Sequence, residues 1–259
     1  MPTVDVNGRE IHYAEQGDGP LAMLIHGYPL DHTMWLDQLA ALSSVRRVVA
    51  LDLPGSGMSE RVNGQPLTME ELAGSVAGLV ETLGYDQADV VGLSMGGYVA
   101  LALWELHPQS IRSLVLANTR SSADSDEGRV GREAQAQSVV ADGRAQLATK
   151  LVGALLAPGH DLTAAARLRT MVESTPVETI VASLRGMAAR PDRTDLLPTI
   201  TVPTLVISGE DDALIPSLDS HEMASAIPNS QFLIIPGVGH LGPIERPDAF
   251  TEALRSFWK

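Results

Sequence analysis

Three segments of this chain each end an apolar run in residues that can do chemistry. Val90-Val91 leads into Gly92-Leu93-Ser94-Met95-Gly96-Gly97, and the helix-forming run Tyr98 to Trp104 follows at once. A strand, sharp turn and helix of this kind can hold a serine on strained backbone with its oxygen exposed. Val206-Ile207-Ser208-Gly209 leads into Glu210-Asp211-Asp212, and Leu233-Ile234-Ile235 into Gly237-Val238-Gly239-His240. A serine hydroxyl is a weak nucleophile until a positioned base takes its proton, and an acid must orient that base. The chemistry on offer is acyl transfer, with Asp211 and Asp212 competing for the acid. A lone Gly-x-Ser-x-Gly carries little weight, because average residue usage produces it in about one chain in ten of this length. The alternative for Ser94 is an ordinary turn serine, and the weight comes from the other two segments.

These residues need a scaffold. Thr3 to Val6 and Arg9 to Ala14 read as strands joined by the hairpin signal Asn7-Gly8. Further strands are expected at Leu21–Ile25, Arg47–Leu51, Val90–Leu93, Ser113–Ala117, Thr204–Ser208 and Gln231–Ile235. Helices are expected at Met34–Leu42, from Met69 to about Leu83 and from Pro247 to about Trp258. Thr68 and Glu71 form a capping box for the second of these. Strands alternating with helices after a hairpin imply an α/β fold with a mainly parallel sheet covered on both faces. Residues 120–195 break the rhythm with helical periodicity, no credible strand and no Phe, Tyr or Trp. They read as a helical cap inserted into a core formed by residues 1–119 and 196–259.

Composition narrows the function. The formal charge of −14 argues against nucleic acid and anionic membranes as partners. The absence of cysteine excludes disulfides and thiolate chemistry and fits a cytoplasmic protein. No stretch reads as a signal peptide or a membrane span. No His or carboxylate cluster shows metal-ligand spacing, and Gly55-x-Gly57 lacks the third glycine of a dinucleotide site. Neither a metal nor a cofactor is expected.

The chain resembles the α/β-hydrolase superfamily along nearly its whole length. The match rests on His26-Gly27-Tyr28-Pro29, Asp52-x-Pro54-Gly55-x-Gly57-x-Ser59, Gly92-x-Ser94-Met95-Gly96-Gly97, Gly209-x-x-Asp212-x-x-x-Pro216 and His240-x-x-x-x-Glu245-x-Pro247. The resemblance implies an eight-stranded, mostly parallel sheet, with Ser94 as nucleophile, His240 as general base and Asp212 as its acid. It also implies an oxyanion hole made by the backbone N–H groups of Tyr28 and Met95. Within the superfamily the chain is similar to small bacterial carboxylesterases, cofactor-free perhydrolases and 3-oxoadipate enol-lactonases. It departs from haloalkane dehalogenases and epoxide hydrolases, which carry an aspartate at the Ser94 position.

The expected activity is hydrolysis of short carboxylic esters, with a small-molecule ester or lactone as partner. Leu147, Leu151, Leu155, Met187 and Leu241 are candidate lining residues, and most of the cap set would equally serve to pack its helices. An enol-lactone substrate would carry a carboxylate and want an arginine. None of the arginines from Arg120 to Arg193 is singled out by spacing, so the lactonase reading stands second. A receptor-like binding protein with slow turnover is the alternative outside enzymology.

Overall fold

The computed structural model describes residues 2–62 and 64–259. Its sheet has eight strands in the order β1-β2-β4-β3-β5-β6-β7-β8. β1 (Thr3–Val6) and β2 (Arg9–Gln16) form the expected hairpin, and β2 lies antiparallel to β4 (Arg47–Leu51). β3 (Leu21–Ile25), β5 (Ala88–Leu93), β6 (Ile111–Ala117), β7 (Thr204–Gly209) and β8 (Ser230–Ile235) continue the sheet in parallel. β3 and β5 are buried throughout, as parallel strands covered on both faces must be.

Helices cover the sheet: α1 (Leu36–Leu42), α2 (Met69–Thr82), α3 (Met95–Leu106), α8 (Ser217–Ala226), α9 (Gly242–Glu245) and α10 (Pro247–Phe257). Thr68 and Glu71 cap α2 reciprocally, as their spacing predicts. The helix expected over Met34–Leu42 begins as a 3₁₀ turn, His32–Trp35, and becomes α-helical only at Leu36. The Asp31 side chain caps Thr33 N–H, while the Asp52 carboxylate accepts the His32 N–H, and together they hold the tighter turn. Trp35 and Phe250, both fully buried, meet at 5.9 Å and lock α10 onto this corner.

Between β6 and β7 the chain runs through α4 (Asp126–Asp142), α5 (Arg144–Leu155), α6 (Leu162–Ser174) and α7 (Val177–Ala189). Salt bridges tie down several arginines of this segment: Arg129 to Asp126, Arg185 to Glu133, and, beyond α7, Arg193 to Glu70 and Glu105. No helix among the described residues is long and apolar enough to cross a membrane.

Asp52 organises the turn after β4. Its two carboxylate oxygens take Nδ1 of His12 at 2.8 Å and Nδ1 of His32 at 2.9 Å, and also the N–H groups of His32 and Met58. Sequence spacing gave no hint that His12 and His32 would join Asp52 in one buried cluster, because β2, the β3–α1 loop and β4 bring them together. Burial alone would raise the Asp52 carboxyl. The His32 hydrogen bond and charge, with the two N–H donors, outweigh it and hold the pKa at about 2. A carboxylate depressed in the fold stabilises above its unfolded pKa and loses that contribution as pH falls toward its folded value. Asp52→Asn should therefore cost about 2 kcal/mol at pH 5. The gap from wild type should shrink toward pH 2. Urea unfolding across that range would reject the assignment if the gap stayed constant.

Candidate active site

Ser94 links β5 to α3 with φ 54° and ψ −115°, a conformation that strains any residue with a side chain. Two close approaches enforce it. A Cβ on Gly92 would overlap the Gly96 carbonyl, and a Cβ on Gly96 would overlap the Ile25 carbonyl at the end of β3. Only glycine lets strand, helix and neighbouring strand meet this closely. Ser94 N–H donates to Ala117 at 2.9 Å, and the Ser94 carbonyl accepts from Thr119 Oγ1 at 2.8 Å. The turn is thus bolted to the end of β6 by its backbone, leaving the hydroxyl out of the frame.

The two candidate acids part company. Asp211 is exposed, whereas Asp212 is buried. Asp212 Oδ1 accepts the N–H groups of Leu214 and Ile215, at 2.9 and 3.0 Å. Its Oδ2 accepts from Asn118 Nδ2 and His240 Nδ1, both at 2.8 Å. Burial pushes the Asp212 carboxyl up, but the His240 hydrogen bond and charge and these donors pull it below the ordinary carboxylate value. Asn118 also holds the Gly239 carbonyl, so one amide braces both the acid and the histidine loop. Nothing in the residue spacing singles out Asn118; its bracing role comes from β6 ending between β5 and β7.

His240 is buried, and its Nε2 has no hydrogen-bond partner. Its N–H donates to the Leu155 carbonyl at 2.8 Å, joining the histidine loop to the end of α5. Glu245 reinforces that junction by accepting from Ala157, Gly239 and Leu241 N–H groups. On the other side of Ser94, a Cβ on Gly27 would lie 3.3 Å from Ser94 Cβ, so the loop carrying Tyr28 N–H runs against the serine. His26 fixes that loop, with Nδ1 donating to the Gly27 carbonyl and Nε2 accepting from Leu53 N–H at 3.0 Å. Burial drives its pKa down, which suits the neutral ring this pairing needs. Met95 opens α3, where backbone N–H groups are unpaired within the helix.

Ser94 and His240 line one cavity of about 230 Å3 with Tyr28, Tyr98, Leu151, Leu155 and Met187. A larger groove of about 470 Å3, lined by Arg9, Glu60 and Leu67, holds neither of them. Leu147 and Leu241 are not among the cavity's lining residues. Leu147 faces a separate depression with Val139 and Lys150, and Leu241 is packed beneath the start of α9. The lining is less aliphatic than expected. Two tyrosines, Arg120, Arg132 and Gln135 share the wall with Ala154, Leu214 and Ile215.

Residues 20–247 match the family model described as alpha/beta hydrolase fold. The chain belongs to the α/β-hydrolase family. It is 29% identical over 261 residues to 3-oxoadipate enol-lactonase 1 of Acinetobacter baylyi, covering 99% of this chain and 92% of that protein. Among solved structures, a thermophilic esterase from Thermogutta terrifontis, with malate bound, is 36% identical, with a TM-score of 0.96, covering 100% of this hydrolase and 98% of that chain. The enol-lactonase of Burkholderia xenovorans LB400 is 32% identical, with a TM-score of 0.90, covering 99% of both chains.

Proposed function

We propose that this α/β-hydrolase is a serine-dependent carboxylic ester hydrolase working through an acyl-enzyme. The observation that carries the reading is His240. Its Nδ1–H is held by the buried Asp212 carboxylate, while its bare Nε2 belongs to the same cavity as Ser94. That tautomer leaves Nε2 free to take the Ser94 proton as Oγ attacks the ester carbonyl. Met95 and Tyr28 N–H groups receive the developing oxyanion, and each such donor is worth ~10²–10³ in turnover. His240 then protonates the leaving alkoxide and afterwards deprotonates the water that releases the acid. Asn118 supports this cycle by keeping Asp212 in place. A metal has no part in these steps.

The cavity sets the substrate size. At about 230 Å3 it is smaller than the usual drug-sized pocket. Leu151, Leu155 and Met187 line it together with Tyr28 and Tyr98. Among p-nitrophenyl esters of rising chain length, kcat/KM should therefore peak between acetate and butyrate and fall steeply beyond. An optimum at octanoate or longer would refute this sizing and show an open acyl channel.

A lactonase reading stands second, because Arg120 and Arg132 line the cavity and two enol-lactonases are among the similar proteins. Running the ester panel beside lactones ranks the two.

A further inference from the structure

We infer that the cavity is built for esters or lactones that carry a free carboxylate, and that Arg120 is the residue that receives it. This inference rests on the hydrolase reading above, since it concerns the same cavity.

Acidic residues outnumber Lys and Arg by 32 to 18 in this chain, yet the cavity's lining contains Arg120 and Arg132 and no Asp or Glu. Arg132 is occupied. It and Arg190 share the single carboxylate of Asp124, Arg190 Nη1 at 2.8 Å, and Arg190 also stacks on Tyr98 at 4.0 Å. That group of three keeps one net positive charge beside the cavity wall. Arg120 and Arg144 both lack a carboxylate partner among the described residues, but Arg144 donates to the Thr175 carbonyl at 3.2 Å, away from the cavity, whereas Arg120 lines it with Ser94 and His240. Arg120 Nη2 donates to the Leu214 carbonyl at 2.9 Å, and its Nε is buried without a partner.

Arg120 is half-buried, with its Nη2 contact on the solvent side, but the buried Nε of its guanidinium is a charged donor left without an acceptor, and that costs free energy unless something compensates it. A pocket for neutral esters gains nothing from that arrangement. Its planar fork suits a carboxylate, which it can bind through two N–H groups. The neighbouring Tyr28 hydroxyl is also buried and unpartnered, and burial raises its pKa, so it stays protonated as a neutral donor. Arg120 follows Asn118 and Thr119 at the end of β6, the segment that braces Asp212 and the Ser94 carbonyl. The anion site and the reacting carbonyl site therefore share one rigid support. A substrate held at both ends presents its carbonyl to Ser94 in a single orientation.

The test compares monomethyl succinate with its neutral near-isostere methyl levulinate, hydrolysis being followed by pH-stat. Wild type should prefer the anionic ester. Arg120→Gln should lower that preference ~10- to 100-fold, the worth of one charge-assisted pair, and Arg120→Lys should restore part of it. Calorimetry should show succinate binding to wild type and not to Arg120→Gln. The inference is overturned if wild type hydrolyses methyl levulinate but rejects monomethyl succinate. It is equally overturned if Arg120→Gln slows both esters by the same factor. Either result leaves the esterase reading standing. Failure to hydrolyse any ester would instead remove the esterase reading, and succinate calorimetry would still decide the anion site.

Discussion

Ser94→Ala is expected to lower ester turnover by on the order of 10⁶ while the protein stays folded. The loss is that large because the remaining groups cannot substitute for a nucleophile. His240 and Asp212 then act on nothing, and only oxyanion stabilisation and binding persist. Folding should survive because the turn is held by backbone and by absent Cβ atoms. Ser94 N–H bonds Ala117, its carbonyl bonds Thr119, and Gly92 and Gly96 permit the close packing. Its hydroxyl makes no cap hydrogen bond. Alanine suffers the same positive-φ strain as serine, so the exchange adds little. The measurement is kcat on p-nitrophenyl butyrate, with thermal unfolding by circular dichroism and labelling by a fluorophosphonate. More than a few per cent residual activity, or equal labelling of the variant, would place the nucleophile elsewhere.

The fold, and the segments that carry the candidate site's Ser94, Asp212 and His240, were legible because each depends on local signals. Glycine punctuation, apolar strands and a terminal Ser, Asp or His are all written within a dozen residues or so of each other. What escaped was information that exists only between segments. Leu147, Leu151 and Leu155 share one stripe of α5, but periodicity cannot say where along its length the helix crosses the site. Only Leu151 and Leu155 reach the cavity. The arginines posed the same problem. Nothing in their spacing distinguishes Arg120 from Arg129, Arg185 or Arg193, and the difference appears once each of the latter meets an acid. His12, His32 and Asp52 likewise form a cluster only after β2, the β3–α1 loop and the end of β4 come together. Asp211 and Asp212 are adjacent in sequence; the Gly209-x-x-Asp212 motif favours the second, and the structure separates them by burial and by the Asp212–His240 hydrogen bond.

That separation makes the acid the sharpest test of the site. Asp212→Asn should lose roughly 10⁴-fold in kcat/KM, whereas Asp211→Asn should change it by less than about threefold, as exposed substitutions usually do. The reason lies in which atoms surround Asp212. All four of its contacts donate: Leu214 and Ile215 N–H to Oδ1, Asn118 Nδ2 and His240 Nδ1 to Oδ2. An asparagine has one oxygen to offer, and the two backbone N–H groups claim it. Its NH2 then faces His240 Nδ1, which must become the acceptor. The imidazole proton moves to Nε2, the atom that has to take the Ser94 proton, and the base is disabled. Turning the amide over restores the histidine contact but sets its NH2 against Leu214 and Ile215 N–H, an unfavourable pairing of buried donors. No such conflict exists at Asp211, whose side chain is exposed. Steady-state kinetics on both variants with p-nitrophenyl butyrate, checked by circular dichroism, decides the matter. A large loss in Asp211→Asn with Asp212→Asn near wild type would move the acid one residue upstream and undo the tautomer argument.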